Sequence, residues 1–249
     1  MTTISRRHLL GAIPLAAAAA PLVARESASL AAIAFDAFVL FSPVSLVERA
    51  RLIVGERASE LVAAASSKLF ASTWLYTSAR QYVGFQILAE AAFRFAAPSI
   101  GVSLTGEDLT KLVGAYSALE PWPDVPATLQ QLRQRKVRLA LLSNLPEAAL
   151  LCNLRRAQLD EYVEIVLSTD QVRRYKPAPE AYRMAVTALG LDVTRIGFAA
   201  SAAWDAAGSA WFGYPTVWVN RAQALKDVDF DKRVIVSSGM EGVLALASS

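Results

Sequence analysis

From Pro121 to Asn220 the chain alternates short apolar runs with amphipathic ones, and this alternation restricts the fold more than any other feature. "VRLALLSN", "YVEIVLSTD", "RIGFAAS" and "TVWVN" read as short buried strands. Between them, "PEAALLCNLRRAQL", "KPAPEAYRMAVTAL" and "WDAAGSAWFG" read as helices, and "PWPDVPATLQQLRQRK" as a turn and a helix leading in. Strands alternating with helices close as right-handed crossovers onto a parallel sheet, so the predicted class is α/β with a Rossmann-like core. The run "AAIAFDAFVLF", Ala31 to Phe41, supplies the first strand.

Between that strand and Pro121 the character differs. "LVAAASSKLFASTWLYTSARQYVGFQILAEAAFRFA" has apolar residues at helical spacing and almost no turn residues. Thr105-x-x-Asp108, placed before Leu109, Leu112, Val113 and Tyr116, predicts a capped amphipathic helix. Residues 45–119 are therefore expected to form a helical insertion, with 29–44 and 120–249 forming the sheet core.

The first 28 residues are a separate problem. Arg6-Arg7 precede an apolar run from Leu9 to Ala20, too short to span a bilayer comfortably. An Ala-rich helix of the folded domain is one reading. A twin-arginine export signal is the favoured one, because "SRRHLLG" resembles S-R-R-x-F-L-K with Leu9 for Phe and Gly11 for Lys. The expected location is the periplasm, without stable membrane insertion after signal removal. Cys152 is the only cysteine and His8, inside the signal, the only histidine. No Ser-His-Asp triad and no His- or Cys-rich zinc site can form in the remaining chain. The net charge of +3 falls close to neutral without Arg6 and Arg7, and no basic stripe suggests nucleic acid.

Chemistry must then rest on carboxylates, Lys, Tyr, Ser and backbone. Asp36 is a bare carboxylate in an apolar run, costly to bury unless something compensates its charge. It follows the first strand. Ser143-Asn144 end "VRLALL", Lys176 lies in "YKPAPEAY", and Asp205 follows "RIGFAAS". Each has an ordinary structural explanation: a turn cap for Asp36, a helix cap for Ser143 and Asn144, a solvated loop for Lys176, and an N-terminal helix acid for Asp205. Together they place Asp, Ser, Lys and Asp in order at the carboxyl edge of a parallel sheet, where open α/β sheets keep their chemistry.

"FDAF", "STWL", "QYVGF", "LLSN", "LSTDQVRRYKPAPEAY" and "WDAAGSAWFGYPTVWVN" resemble the haloacid dehalogenase superfamily, and within it the type II L-2-haloacid dehalogenases, from about Ala31 to Asn220. The resemblance implies a Rossmann-like core with a helical cap inserted after the first strand. It implies hydrolysis of short (S)-2-haloacids to (R)-2-hydroxyacids, with Asp36 attacking Cα and water then cleaving the aspartyl ester. Lys176 would hold Asp36 ionised, and Asp205 would place Lys176 and steer the hydrolytic water. Ser143 and Asn144 match positions contacting the nucleophile or the substrate carboxylate. Phe38, Phe70, Phe85, Tyr182 and Trp204 match substrate-binding positions, as does Trp74, though helix packing explains several of these equally well. The implied partner is a small halogenated carboxylic acid, with no cofactor, no metal and a homodimer allowed.

Phosphatases of the superfamily need Asp-x-Asp and a later acid, where this chain has Phe38 and Ser201, so phosphatase chemistry and Mg²⁺ are disfavoured. The chain also departs from the dehalogenase pattern. "FDAFVLF" is one residue shorter than F-D-A-Y-G-T-L-F and lacks its Thr, the cap arginine aligns with Ser66, and the Ser and Asn before W-D align with Ala200 and Ala202. Arg80, Arg94 or Lys68 could reach in from the cap in place of the lost cation, although a solvated helix face is the favoured role of each. Two rivals stand beside the dehalogenase: a hydrolase of the same fold with a changed substrate, and a catalytically weak binding protein.

Overall fold

The computed structural model describes residues 29–230 and 233–248; the export reading of residues 1–28 lies outside them. In chain order the elements are β1 (Ala32–Phe35), α1 (Ala37–Leu40), β2 (Phe41–Ser42), α2 (Val44–Val54), α3 (Ala58–Ser78), α4 (Phe85–Ser99) and α5 (Gly106–Gly114). After these come β3 (Glu120–Pro121), α6 (Val125–Gln134), β4 (Arg138–Ser143), α7 (Glu147–Arg156), β5 (Ile165–Ser168) and α8 (Pro179–Leu189). The chain finishes with β6 (Ile196–Ala200), α9 (Ala203–Phe212), β7 (Thr216–Val219), β8 (Ile235–Ser237) and α10 (Glu241–Leu246).

Six parallel strands form one sheet in the order β5-β4-β1-β6-β7-β8. The α/β class expected from the alternation is the one observed. β1 is central and buried along its whole length, which is why it reads AIAF rather than alternating apolar with polar. Ile33 and Phe35 pack toward α6, α7 and α10, while Ala32 and Ala34 pack toward α8 and α9. The chain winds outward from β1 to β5, then returns past β1 to β6. That reversal puts α8 and α9 on the opposite face from α6 and α7, and makes the carboxyl end of β1 a topological switch point.

The apolar run containing Asp36 is not one strand. β1 stops at Phe35, Asp36 is the N-cap of the single-turn α1, and β2 follows. β2 pairs antiparallel with β3, Phe41 opposite Pro121 and Ser42 opposite Glu120, so the helices α2 to α5 leave and rejoin the sheet domain through this short neck. The long helical stretch is two helices, broken where Arg80 takes a φ of 55°. Gly84 then serves as the N-cap of α4. The expected box at α5 is present: Thr105 accepts from the Asp108 amide, and Asp108 accepts from the Thr105 amide. Among the described residues no helix is long and apolar enough to cross a membrane.

Candidate active site

Asp36 sits where the β1 ladder ends, its amide donating to Ala199 O at 2.9 Å. It is 7% exposed and its side chain is satisfied from both sides. Oδ1 accepts from Lys176 Nζ at 2.9 Å, and Oδ2 accepts from the Phe38 amide at 3.1 Å and Ser201 Oγ at 2.7 Å. The turn-cap and buried ion-pair explanations of Asp36 thus hold together. The one-turn helix after it delivers the Phe38 amide, and Lys176 delivers the charge.

Lys176 is buried, and its ammonium also donates to Asp205 Oδ2 at 2.7 Å. Burial works against that charge, yet Asp205 and then Asp36 outweigh it, and the Lys176 pKa lies above its ordinary value. Asp205 lies in the first turn of α9, fully inside the protein. Burial pushes its pKa up to about 6, against the lowering effect of Lys176, and the charge of Asp36 adds to the rise. Two carboxylates around one ammonium leave the cluster with a net charge of about −1 when all three are ionised. Asn144 positions the lysine from behind: its Oδ1 accepts from the Lys176 amide at 3.0 Å and from Thr169 Oγ1 at 3.2 Å. Ser143 Oγ accepts from the Leu145 amide at 3.1 Å, closing the turn after β4.

The cluster forms the floor of a cavity of about 500 Å³ whose walls come from the sheet domain and from α2, α3 and α4. Asp36, Phe38, Ser143, Asn144, Lys176, Phe70, Phe85 and Trp204 all line it. Three predicted residues do not. Tyr182 is fully buried behind the cluster, its hydroxyl donating to Asp205 Oδ1 at 2.7 Å and its ring edge-on to Phe198. It cannot contact a ligand in the cavity, because Asp205 and Lys176 stand between. Asp205 is also off the cavity wall, with one oxygen on Lys176 and the other on Tyr182, which leaves it placed to position the lysine rather than to steer water. Trp74 likewise stays outside, packing edge-on against Trp204 with ring centroids 5.6 Å apart.

The cap cations take the solvated roles favoured for them and none reaches the cavity. Arg94 pairs with Glu90 at 2.6 Å, Lys68 lies over the Phe95 ring, and Arg80 is at the exposed turn after α3. The cavity's second cation is Arg221, after β7, a residue that strand-end reasoning passed over. Its guanidinium forks onto Asp124 at 2.8 and 3.1 Å and lies 4.6 Å from the Trp122 ring centroid. Sequence reasoning also missed Ser201 as a donor, seeing there only a lost carboxylate, and Trp122, whose Nε1 donates to Phe38 O at 3.1 Å. Ser201 had a signal, since it directly follows β6, four residues before Asp205. The Arg221–Asp124 pair, 97 residues apart, had none.

Phe38 presents only carbon to the place where a second carboxylate would be needed, and Lys176 Nζ fills the gap between Asp36 and Asp205. Among the described residues no three His, Cys, Asp or Glu side chains cluster to hold a metal. What the arrangement offers is a fixed carboxylate, lined up by a buried ammonium and two further donors, facing a largely apolar chamber.

Comparison with known proteins agrees with this layout. Over 190 residues the chain is 37% identical to the (S)-2-haloacid dehalogenase of Pseudomonas sp. (strain YL), covering 76% of this chain and 82% of that protein. It is 32% identical to (S)-2-haloacid dehalogenase 4A of Burkholderia cepacia, over 63% of this chain and 68% of the other. The crystal structure of an L-2-haloacid dehalogenase, 28% identical, superposes with a TM-score of 0.84, covering 89% of this chain and all of that one. The profile of the haloacid dehalogenase-like hydrolases matches residues 7–213, and with that match the chain belongs to the haloacid dehalogenase-like hydrolase family.

Proposed function

We propose that the protein hydrolyses (S)-2-haloacids to (R)-2-hydroxyacids through an ester on Asp36. The carrying observation is the Asp36 carboxylate, fixed on Lys176 at the floor of an apolar cavity with Phe38 beside it. The likeness to named (S)-2-haloacid dehalogenases supports the substrate class.

Hydrogen-bond counting assigns the two oxygens. Oδ2 already accepts two donors and Oδ1 only one, so Oδ1 keeps the lone pair for attack. Its electron pair forms the bond to Cα while the carbon–halogen bond breaks and the halide leaves with its electrons, inverting the carbon. Oδ2 is then the ester carbonyl, held by the Phe38 amide and Ser201 hydroxyl. Those donors face the charge that develops when water adds to the carbonyl carbon. Collapse releases the hydroxyacid with an oxygen from Asp36, and water replaces that oxygen. One water proton ends on the product hydroxyl and the other leaves with the halide as acid.

Lys176 orients Asp36 and supplies the charge opposite it. Asp205 and Tyr182 act through Lys176. With the cluster negative and Arg221 paired, the substrate carboxylate is left to neutral donors, the Asn144 amide nitrogen and the Ser143 region among them. Halide release from 2-halo acids is the direct test, with Asp36→Asn inactive yet folded. A single turnover in ¹⁸O-water should put the isotope into Asp36 and not into the product; labelled product would overturn the assignment.

Residues 45–119 act in this reading as a cap over a core made of 29–44 and 120–249, which fits the shared neck β2–β3. Export by the twin-arginine route, with a periplasmic location, rests on the Arg6-Arg7 sequence. Replacing both Arg6 and Arg7 by lysine should strand the precursor in the cytosol, and normal export of that double variant would exclude the route. Exposed Leu75, Ile87 and Phe95 on α3 and α4 support a homodimer, which sedimentation equilibrium would register.

A further inference from the structure

We infer that the preferred substrate is a 2-haloacid carrying a bulky, uncharged, apolar group on C2; this rests on the dehalogenase reading above and specifies its substrate. A three-carbon 2-haloacid has about six non-hydrogen atoms and, at interior packing density, fills roughly 100 Å³. The cavity is about 500 Å³. With such a small acid bound, the remainder would hold on the order of a dozen waters at about 30 Å³ each. Asp36 would then be hydrated, and a hydrated carboxylate attacks carbon poorly.

The walls identify what fills the space instead. Ser66, Val62 and Val219 are short side chains that leave room, and Phe70, Trp122 and Trp204 are broad apolar faces. Phe70 and Trp204 brace one another, with ring centroids 5.5 Å apart. At the Arg221 end Asp124 balances the guanidinium's charge and only Nε is left as a buried donor without a partner, a demand that a single neutral acceptor meets without a second anion. A substituent with an alkyl or aryl body displaces the water, covers these faces and dries the nucleophile in one step.

The experiment is halide release by the intact protein from (S)-2-chloropropionate, 2-chlorohexanoate, 2-chloro-3-phenylpropionate and 2-chloroadipate. Each added methylene should raise kcat/KM about threefold, or ~30-fold from the propionate to the hexanoate. The phenyl acid should match or exceed the hexanoate, and the adipate should fall below it. Val62→Phe, which fills the wall from α3, should cut the hexanoate-to-propionate ratio at least fivefold; Ser66→Leu gives a second, independent filling. Equal or faster turnover of the propionate would overturn this inference and leave the dehalogenase reading intact. A preference for the adipate would overturn the uncharged character of the group. Halide from none of the four would remove the underlying reading itself.

Discussion

At the scale of single residues, the Asp36 carboxylate accepts from three donors, the nearby Phe38 amide and two from distant parts of the chain, Lys176 and Ser201. Ser201 is the one whose contribution is separable. If its hydroxyl stabilises the second step, Ser201→Ala should leave the first halide release nearly intact and slow ester hydrolysis about 10²-fold. The expected readout is a burst of halide stoichiometric with enzyme and a covalent mass increase on Asp36. Equal slowing of both steps would mark a merely structural serine. Asp205 governs the pH profile. Its pKa of about 6 means that acidification through that value protonates it and loosens its hold on Lys176. Turnover should therefore rise as pH passes about 6 and hold into the alkaline range, because the Lys176 pKa is raised. Asp205→Asn should erase the acid limb and lower kcat at least tenfold. Stability follows the same shifts. Ionising buried Asp205 subtracts stability as pH rises from the ordinary carboxylate range to about 6, and Lys176 contributes stability that is lost only above its ordinary range. Asp36 was legible because an isolated ion in an apolar run is conspicuous, whereas Lys176, beside Arg173 and Arg174, stood out only through its order with the other strand-end residues and the family resemblance. Arg221 and Asp124 were not legible, since each alone reads as an ordinary turn residue.

Elements set the distances between these groups, and α9 does so through a missing side chain. Tyr182 reaches Asp205 only by passing over Gly208, where an added Cβ would lie 2.6 Å from the tyrosine hydroxyl and 2.8 Å from Pro177 Cβ. Both are parts of the apparatus that presents Lys176. Gly208→Ala gains helix propensity in α9 and still should destabilise by about 1–3 kcal/mol, the usual cost of forcing a group into a packed interior. Urea midpoints would measure that cost, and kcat should fall as Tyr182 is displaced. An unchanged midpoint with normal turnover would mean that the packing yields freely. Element identity was legible wherever buried strands alternated with amphipathic helices for long enough to show a period. It failed where elements are short. β8 has three residues, β2 and β3 two each, and the turn at Arg80 lacks the Gly or Pro that usually marks one.

For the whole molecule, the helical segment is tied to the sheet domain at several places, among them Asn153 of α7, bonded to Tyr116 O and the Leu119 amide, and the Phe70 and Trp74 rings against Trp204. Two further ties are the neck of β2 and β3 and a dock between the α3–α4 turn and the loop before α8. There the Tyr82 hydroxyl donates to Asp170, the Tyr82 and Tyr175 rings stack at 5.3 Å, and Tyr175 donates from its hydroxyl to Val83 O and from its amide to Thr77 Oγ1. Burial, then Asp170, raise the Tyr82 pKa well above the ordinary phenol value, so it stays a donor at any working pH. Of the residues lining the cavity, Pro43, Val44 and Ala222 are exposed. The dock spans 88 residues of sequence between Tyr82 and Asp170, and neither residue announces it. Tyr82→Phe removes the hydrogen bond while keeping the stacked ring, a loss of about 1 kcal/mol and so several-fold more opening. Amide exchange at residues 77–84 should quicken by that factor while β1 and β4 stay protected. KM should rise with little change in kcat, since the dock touches none of the reacting groups. Exchange quickening equally throughout the sheet would show instead that the helices and the sheet open as one cooperative body, with the dock a part of the common core.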